Sequence, residues 1–132
     1  MPEPDEFISI AQRLMDKSTS GQRTIEALIS GLHEASRRYQ VGLGAIVGSL
    51  GVQLIMARAL KKVSSRFPYL KDLAIYEDGI DAHSLLGQKS DADYEEVRRG
   101  FESLLAAIIE VLAELLGKDL ATRLVLDWVL KS

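Results

Sequence analysis

The chain contains no cysteine. That absence excludes a disulfide framework, thiolate zinc sites, iron–sulfur ligation and a cysteine nucleophile together, and it fits a reducing compartment. Histidine is nearly absent as well: only His33 and His83 are present, fifty residues apart, so a metal site would have to be assembled from these two and from carboxylates. A basic surplus is also missing. The net charge is −3, whereas a dedicated nucleic-acid binder is usually basic overall, so no nucleic-acid partner is expected. No Gly-x-Ser-x-Gly elbow occurs, which leaves hydrolase chemistry without a visible seat.

A comfortable membrane span is lacking too. The stretch Val41–Ala57 has seventeen residues without a formal charge, the lower limit of the roughly 17–25 that a spanning helix needs. It contains Gln53 and four glycines and has Arg37, Arg38, Arg58 and Lys61 on its flanks. A buried helix of a water-soluble protein is expected there, and membrane insertion is not. The N-terminal residues MPEPDEF carry acids where a secretory signal carries bases, so a cytoplasmic location is expected.

What is present is enough for a core. The 132 residues, 47% of them hydrophobic, predict one helical domain over residues 1–132 without covalent or metal staples. Charge is distributed unevenly: residues 1–66 sum to about +3 and residues 67–132 to about −6, an asymmetry suited to packing between the halves or between subunits.

Apolar spacing predicts a mostly α, compact bundle of about five helices. Asp5 is placed to cap the first, whose inward face is Phe7, Ile8, Ala11, Leu14 and Met15, and Ser18–Gly21 ends it. The second, about Gln22–Tyr39, turns Ile25, Leu28, Ile29, Leu32, Ala35 and Tyr39 inward. The third, about Val41–Arg66, carries two stripes, Gly44, Gly48, Gly51, Ile55 and Leu43, Val47, Leu50, Leu54. Glycine costs up to about 1 kcal/mol relative to alanine inside a helix, so these glycines imply either a close backbone contact or an interruption near Gly42–Gly44. Phe67-Pro68 stops that helix. Leu73–Tyr76 and Ile80–Ala82 flank Glu77-Asp78-Gly79, which predicts a small β-hairpin or extended excursion near residues 73–85. Ser90 with Asp93 opens a fourth helix and Gly117 closes it. Its seam of Tyr94, Val97, Phe101, Leu104, Ile108, Val111 and Leu115, beside a second row of Leu105, Ile109, Leu112 and Leu116, makes it the central element. The fifth, from Asp119 to about Lys131, is expected to bury Leu120, Leu124 and Trp128, with Val125 a further inward candidate and Leu126 and Leu130 turned elsewhere.

No segment supplies a catalytic set. Val41–Gly48 has the glycine spacing of a dinucleotide loop, but Arg37-Arg38-Tyr39-Gln40 before it is no buried strand. Glu77, Asp78, Asp81 and His83 lack the ligand alternation of a calcium loop and read as turn and ribbon edge. His33, with no second histidine one turn away, reads as a core-edge residue. Catalytic residues, bound metal and cofactors are therefore all expected to be absent. The candidate surface for helix packing or a ligand pocket is Gly44, Gly48, Gly51, Ile55 and Met56, and the candidate contact for an anion or acidic partner is the edge Arg58, Lys61, Lys62 and Arg66.

Ile75-Tyr76-Glu77-Asp78-Gly79-Ile80, followed by a long helix ending Leu115-Leu116-Gly117-Lys118-Asp119-Leu120, resembles helical accessory modules of prokaryotic sensor and regulatory proteins over residues 73–130. The resemblance implies a regulatory or protein-interaction role and carries over no catalytic residue. The leading expectation is a non-enzymatic adapter or sensor-type module that self-associates as a homodimer or higher oligomer and meets a protein partner. The alternative is a binder of a small lipid-like or planar molecule in a glycine-lined helical pocket. The third, an enzyme, would use His33 or the Glu77–His83 ribbon.

Overall fold

The computed structural model describes residues 3–131, with side chains from Glu6 onward. Five helices, α1 (Glu3–Thr19), α2 (Ile25–Val47), α3 (Ser49–Ser64), α4 (Tyr94–Leu116) and α5 (Lys118–Leu124), enclose a core, and a two-stranded antiparallel sheet lies between α3 and α4 in the chain. Its strands are β1 (Ala74–Tyr76) and β2 (Gly79–Asp81), paired Ala74 to Asp81, Ile75 to Ile80 and Tyr76 to Gly79. Short 3₁₀ turns at Pro68–Asp72, His83–Gly87 and Asp91–Asp93 link these parts, and α5 runs on into a π-helical turn, Val125–Leu130. The mostly α bundle with its hairpin is the architecture that the periodicity predicts.

Long-range bonds set the directions. Arg98 pairs with Asp16 and Lys118 with Glu6, so α1 is antiparallel to α4. Lys62 pairs with Glu110 and Arg58 with Glu114, so α3 is antiparallel to α4 on another side. The amide of Ile25 donates to Asp91, and the Tyr39 hydroxyl donates to the carbonyl of Leu105, so α2 runs parallel to α4. A helix with neighbours on several sides needs a wide apolar arc, and α4 has one: Phe101, Leu104, Leu105, Ile108, Ile109 and Leu112 are all fully buried. Each such side chain contributes about 1.5–3 kcal/mol by leaving water.

Helix boundaries depart from expectation in three places. The first helix begins at Glu3, so Asp5 lies inside it rather than capping it, and the Asp5 side chain is outside the described residues; Ile10, absent from the expected face, is buried beside Phe7. The second helix continues through Gly42 and Gly44 to Val47, and the break falls at Gly48. The fifth helix turns a different face inward: Val125 is fully buried as the sequence allows, but its companions are Ala121 and Val129, while Leu120 and Trp128 are exposed, Leu124 is only partly covered, and Leu130, expected elsewhere, is buried. The two faces have the same four-residue spacing and differ by one residue in register. The chosen register is the one that seats the Trp128 carbonyl and the Val129 side chain on Gly42 of α2, while the chain ends in a wide turn in which the Lys131 amide donates five residues back to Leu126.

Candidate functional site

The expected glycine stripe is taken apart by the fold. Gly44 is on α2, Gly48 joins α2 to α3, and Gly51 is on α3. A β-carbon built on Gly44 or Gly48 would meet no atom within 4 Å, and one on Gly51 would touch only the Val47 side chain of the preceding turn. Among the described residues nothing beyond Val47 comes within 4 Å of these built positions. Ile55 and Met56 belong to the core instead, Met56 without any exposure. None of the principal cavities is lined by Gly44, Gly48, Gly51 or Met56. The close approaches occur elsewhere. A β-carbon on Gly42 would lie 2.6 Å from the carbonyl oxygen of Trp128, one on Gly79 would lie 2.7 Å from the Ser36 hydroxyl, and one on Gly100 would overlap the Tyr69 hydroxyl. In sequence these glycines look like any others; only the chain crossing over them marks them.

Breaking the uncharged segment at Gly48 turns it into a corner whose outer side is apolar. Val41 and Leu50 are each more than two-thirds exposed, at 69% and 68%, Leu54 is 63% exposed, and Ile46 joins them. The second stripe expected on the third helix is thus only partly buried: Leu43 is covered, Val47 half-covered, and Leu50 and Leu54 face solvent. The antiparallel register of α3 and α4 brings the start of α3 to the end of α4, where Leu115 is 62% exposed and Leu120 follows past Gly117. Leu115, the last member of the predicted heptad seam, is therefore outside the core. One end of the bundle thus presents exposed aliphatic side chains at two helix corners, and large exposed apolar groups are what interaction surfaces gather.

The basic edge of α3 meets acids of α4. Arg58 lies 3.2 Å from Glu114, and Lys62 lies 2.8 Å from Glu114 and 3.2 Å from Glu110. The hydrogen bond from Lys62 holds the Glu114 carboxyl below the usual range, and the same bond raises Lys62 against its desolvation. The opposite charges of the two halves are spent partly on this pairing. Lys61 faces solvent, and Arg66 packs its guanidinium 5.6 Å from the Phe67 ring centre.

The densest polar chemistry lies where the hairpin meets α2. His33 and His83, expected in different surroundings, line one depression of about 300 Å³ together with Ile29, Ser30, Tyr76, Asp78, Asp81 and Ala82. The wall behind it is tightly built: the Ser36 hydroxyl donates to the His33 carbonyl and accepts from the Ile80 amide at 2.7 Å, and Ser36 and Ile80 are both fully buried. Because Gly79 has no side chain, β2 can press directly onto that serine. Asp81 accepts from the His83 amide at 2.8 Å and lies 2.6 Å from His83 Nδ1. The amide bond first, and the ring bond after it, hold the Asp81 carboxyl below the usual range. Across the depression His33 Nε2 stands 3.7 Å from Asp78. Among the described residues no three histidine or carboxylate groups come together to hold a metal ion, and no helix is long and apolar enough to cross a membrane.

The corner is legible in retrospect from seventeen uncharged residues containing glycine. The histidine depression had no local signal, because its two walls are fifty residues apart. No family model matches the chain, and neither a curated protein nor a solved structure is significantly similar to it.

Proposed function

We propose that the protein is a non-enzymatic adapter or sensor-type module that acts by self-association, with a second copy covering the apolar corner of α2 and α3. The observation that carries this reading is the solvent exposure of Val41, Ile46, Leu50 and Leu54 within a stretch that has no formal charge. Burying such side chains is favourable at roughly 25 cal/mol per Å² of apolar surface, and no charged group of that stretch has to be desolvated. The glycine-lined ligand pocket has no support of this kind, since the glycines stand apart and Met56 is sealed in the core.

Sedimentation equilibrium at micromolar concentration tests the proposal. The expected result is a dimer or larger species for the unmodified chain and a 14.6 kDa species for Leu50→Glu combined with Leu54→Glu, with circular dichroism unchanged. A 14.6 kDa species alone for the unmodified chain overturns the reading.

A further inference from the structure

Both histidines of the chain converge on the depression between α2 and the hairpin, and its construction is that of a small-ligand site. We propose that the depression lined by His33, Asp78, Asp81 and His83 binds a small organic cation: a primary ammonium group carried on a compact apolar or aromatic body. The proposal stands independently of the association reading, because the depression involves none of the residues of the apolar corner.

The first ground is shape. A volume of about 300 Å³ is at the small end of ligand sites, and the enclosure exists without rearrangement. Its back wall is fixed by the Ser36 bridge between the His33 carbonyl and the Ile80 amide, and Ile29 and Ala82 form an apolar floor that is itself part of the core.

The second ground is the hydrogen-bonding sense of the rim. In a neutral imidazole one nitrogen donates and the other accepts. Asp81 lies on Nδ1 of His83, which places the donor there and leaves Nε2 as an acceptor. Asp78 and Asp81 are acceptors when ionised, and no lysine or arginine lines the depression. An ammonium group offers three donors and a positive charge to such a rim. Tyr76, exposed at the mouth, supplies an aromatic ring for the body or the charge of the ligand.

The apolar floor separates this ligand class from an inorganic cation. A divalent ion takes several oxygen or nitrogen ligands at close range, and the described residues bring no three such groups together. An organic cation instead uses the floor for its body and the rim for its charge.

Titration of the full chain with phenethylamine, followed by backbone amide NMR shifts near neutral pH, tests the proposal. Saturable shifts confined to residues 29–33 and 76–83 are expected, with binding at least about tenfold weaker, some 1.4 kcal/mol, for the neutral isostere 2-phenylethanol. Asp78→Asn, at an exposed position, is expected to weaken binding several-fold, and Ser30→Phe, at the exposed mouth, to abolish it; the melting temperature should change little in either variant. Three results would overturn the proposal: no saturable shift at ligand concentrations of about 10 mM, equal binding of the alcohol, or Zn²⁺ saturating the same amides while the amine does not. A loss of melting temperature in Asp78→Asn without any amine binding would assign the His33–Asp78 pair to holding the hairpin alone, and would overturn it too.

Discussion

Two corners of this molecule share a backbone and differ in surface. Gly48, between α2 and α3, has φ 83° and ψ 156°, and Gly117, between α4 and α5, has φ 92° and ψ 150°. Each donates its amide to the carbonyl four residues back, Gly44 or Ala113, at 2.8 Å, and each accepts at 3.0 Å from the amide four residues on, Val52 or Ala121. Two residues before each glycine stands an exposed aliphatic side chain, Ile46 or Leu115. The sequences then diverge: Ser49-Leu50 follows the first glycine and Lys118-Asp119 the second, with Lys118 paired to Glu6. One backbone solution to reversing a helix thus produces an uncharged surface at one corner and a charged one at the other. Geometry sets where a corner forms, and the residues after the glycine decide what the corner can meet.

The strongest test of the shared geometry is to deny it. A backbone with φ near +85° and ψ near 150° is reserved for glycine and costs other residues about 1–3 kcal/mol. Gly48→Ala and Gly117→Ala should each lose about that much in urea unfolding, although neither β-carbon meets a neighbour. The sensitivity of Gly48 thus comes from the backbone rather than from a close helix crossing. Equal stability of either variant to the unmodified chain would show that the corner can relax.

Glycines seated beneath other groups offer the contrast to these open corners, and alkaline pH probes one of them. Tyr69 rests over Gly100 and donates to the Glu96 carbonyl. Burial, aided by Glu96, pushes its hydroxyl up to about 12, and complete burial raises Tyr39 further. Their folded-state values exceed the ordinary 10 or so. The stabilisation is therefore fully present below pH about 10 and lost as pH rises above it, by up to about 1.4 kcal/mol per pH unit for each tyrosine that stays neutral while folded. Urea midpoints measured at several pH values should fall above about 10, and Tyr39→Phe should flatten much of the decline. A flat profile for the unmodified chain would refute the burial argument.

Smaller effects sharpen the comparison further. Gly44 lies four residues before the corner glycine, inside α2 and in open space, so Gly44→Ala should raise stability by up to about 1 kcal/mol through helix propensity. A loss instead would reveal a contact at that position in the assembled protein. Lys118→Ala removes the exposed pair with Glu6 and should shift stability by no more than about 1 kcal/mol. It also makes the second corner resemble the first, and sedimentation should show association at least as strong as that of the unmodified chain.

By itself the sequence determined the helical class, the inward face of α2, the start and stop of α4 and the presence of a hairpin at Asp78-Gly79. Each follows from local rules, apolar spacing and the turn or cap preferences of a few residues, which act between near neighbours whatever surrounds them. It also flagged 41–57 as unusual, through the lack of charge. Tertiary structure alone decided that Leu50 and Leu54 stay outside while Ile55 and Met56 go in, because both sides of that segment are apolar and only the position of α4 chooses between them. It likewise decided that α5 turns Ala121 and Val129 inward in place of Leu120 and Trp128, through the seating of Val129 and the Trp128 carbonyl on Gly42 of α2. The meeting of His33 with His83 was decided in the same way, since their approach depends on Ser36 and Gly79 bringing β2 onto α2, a contact between residues more than forty positions apart.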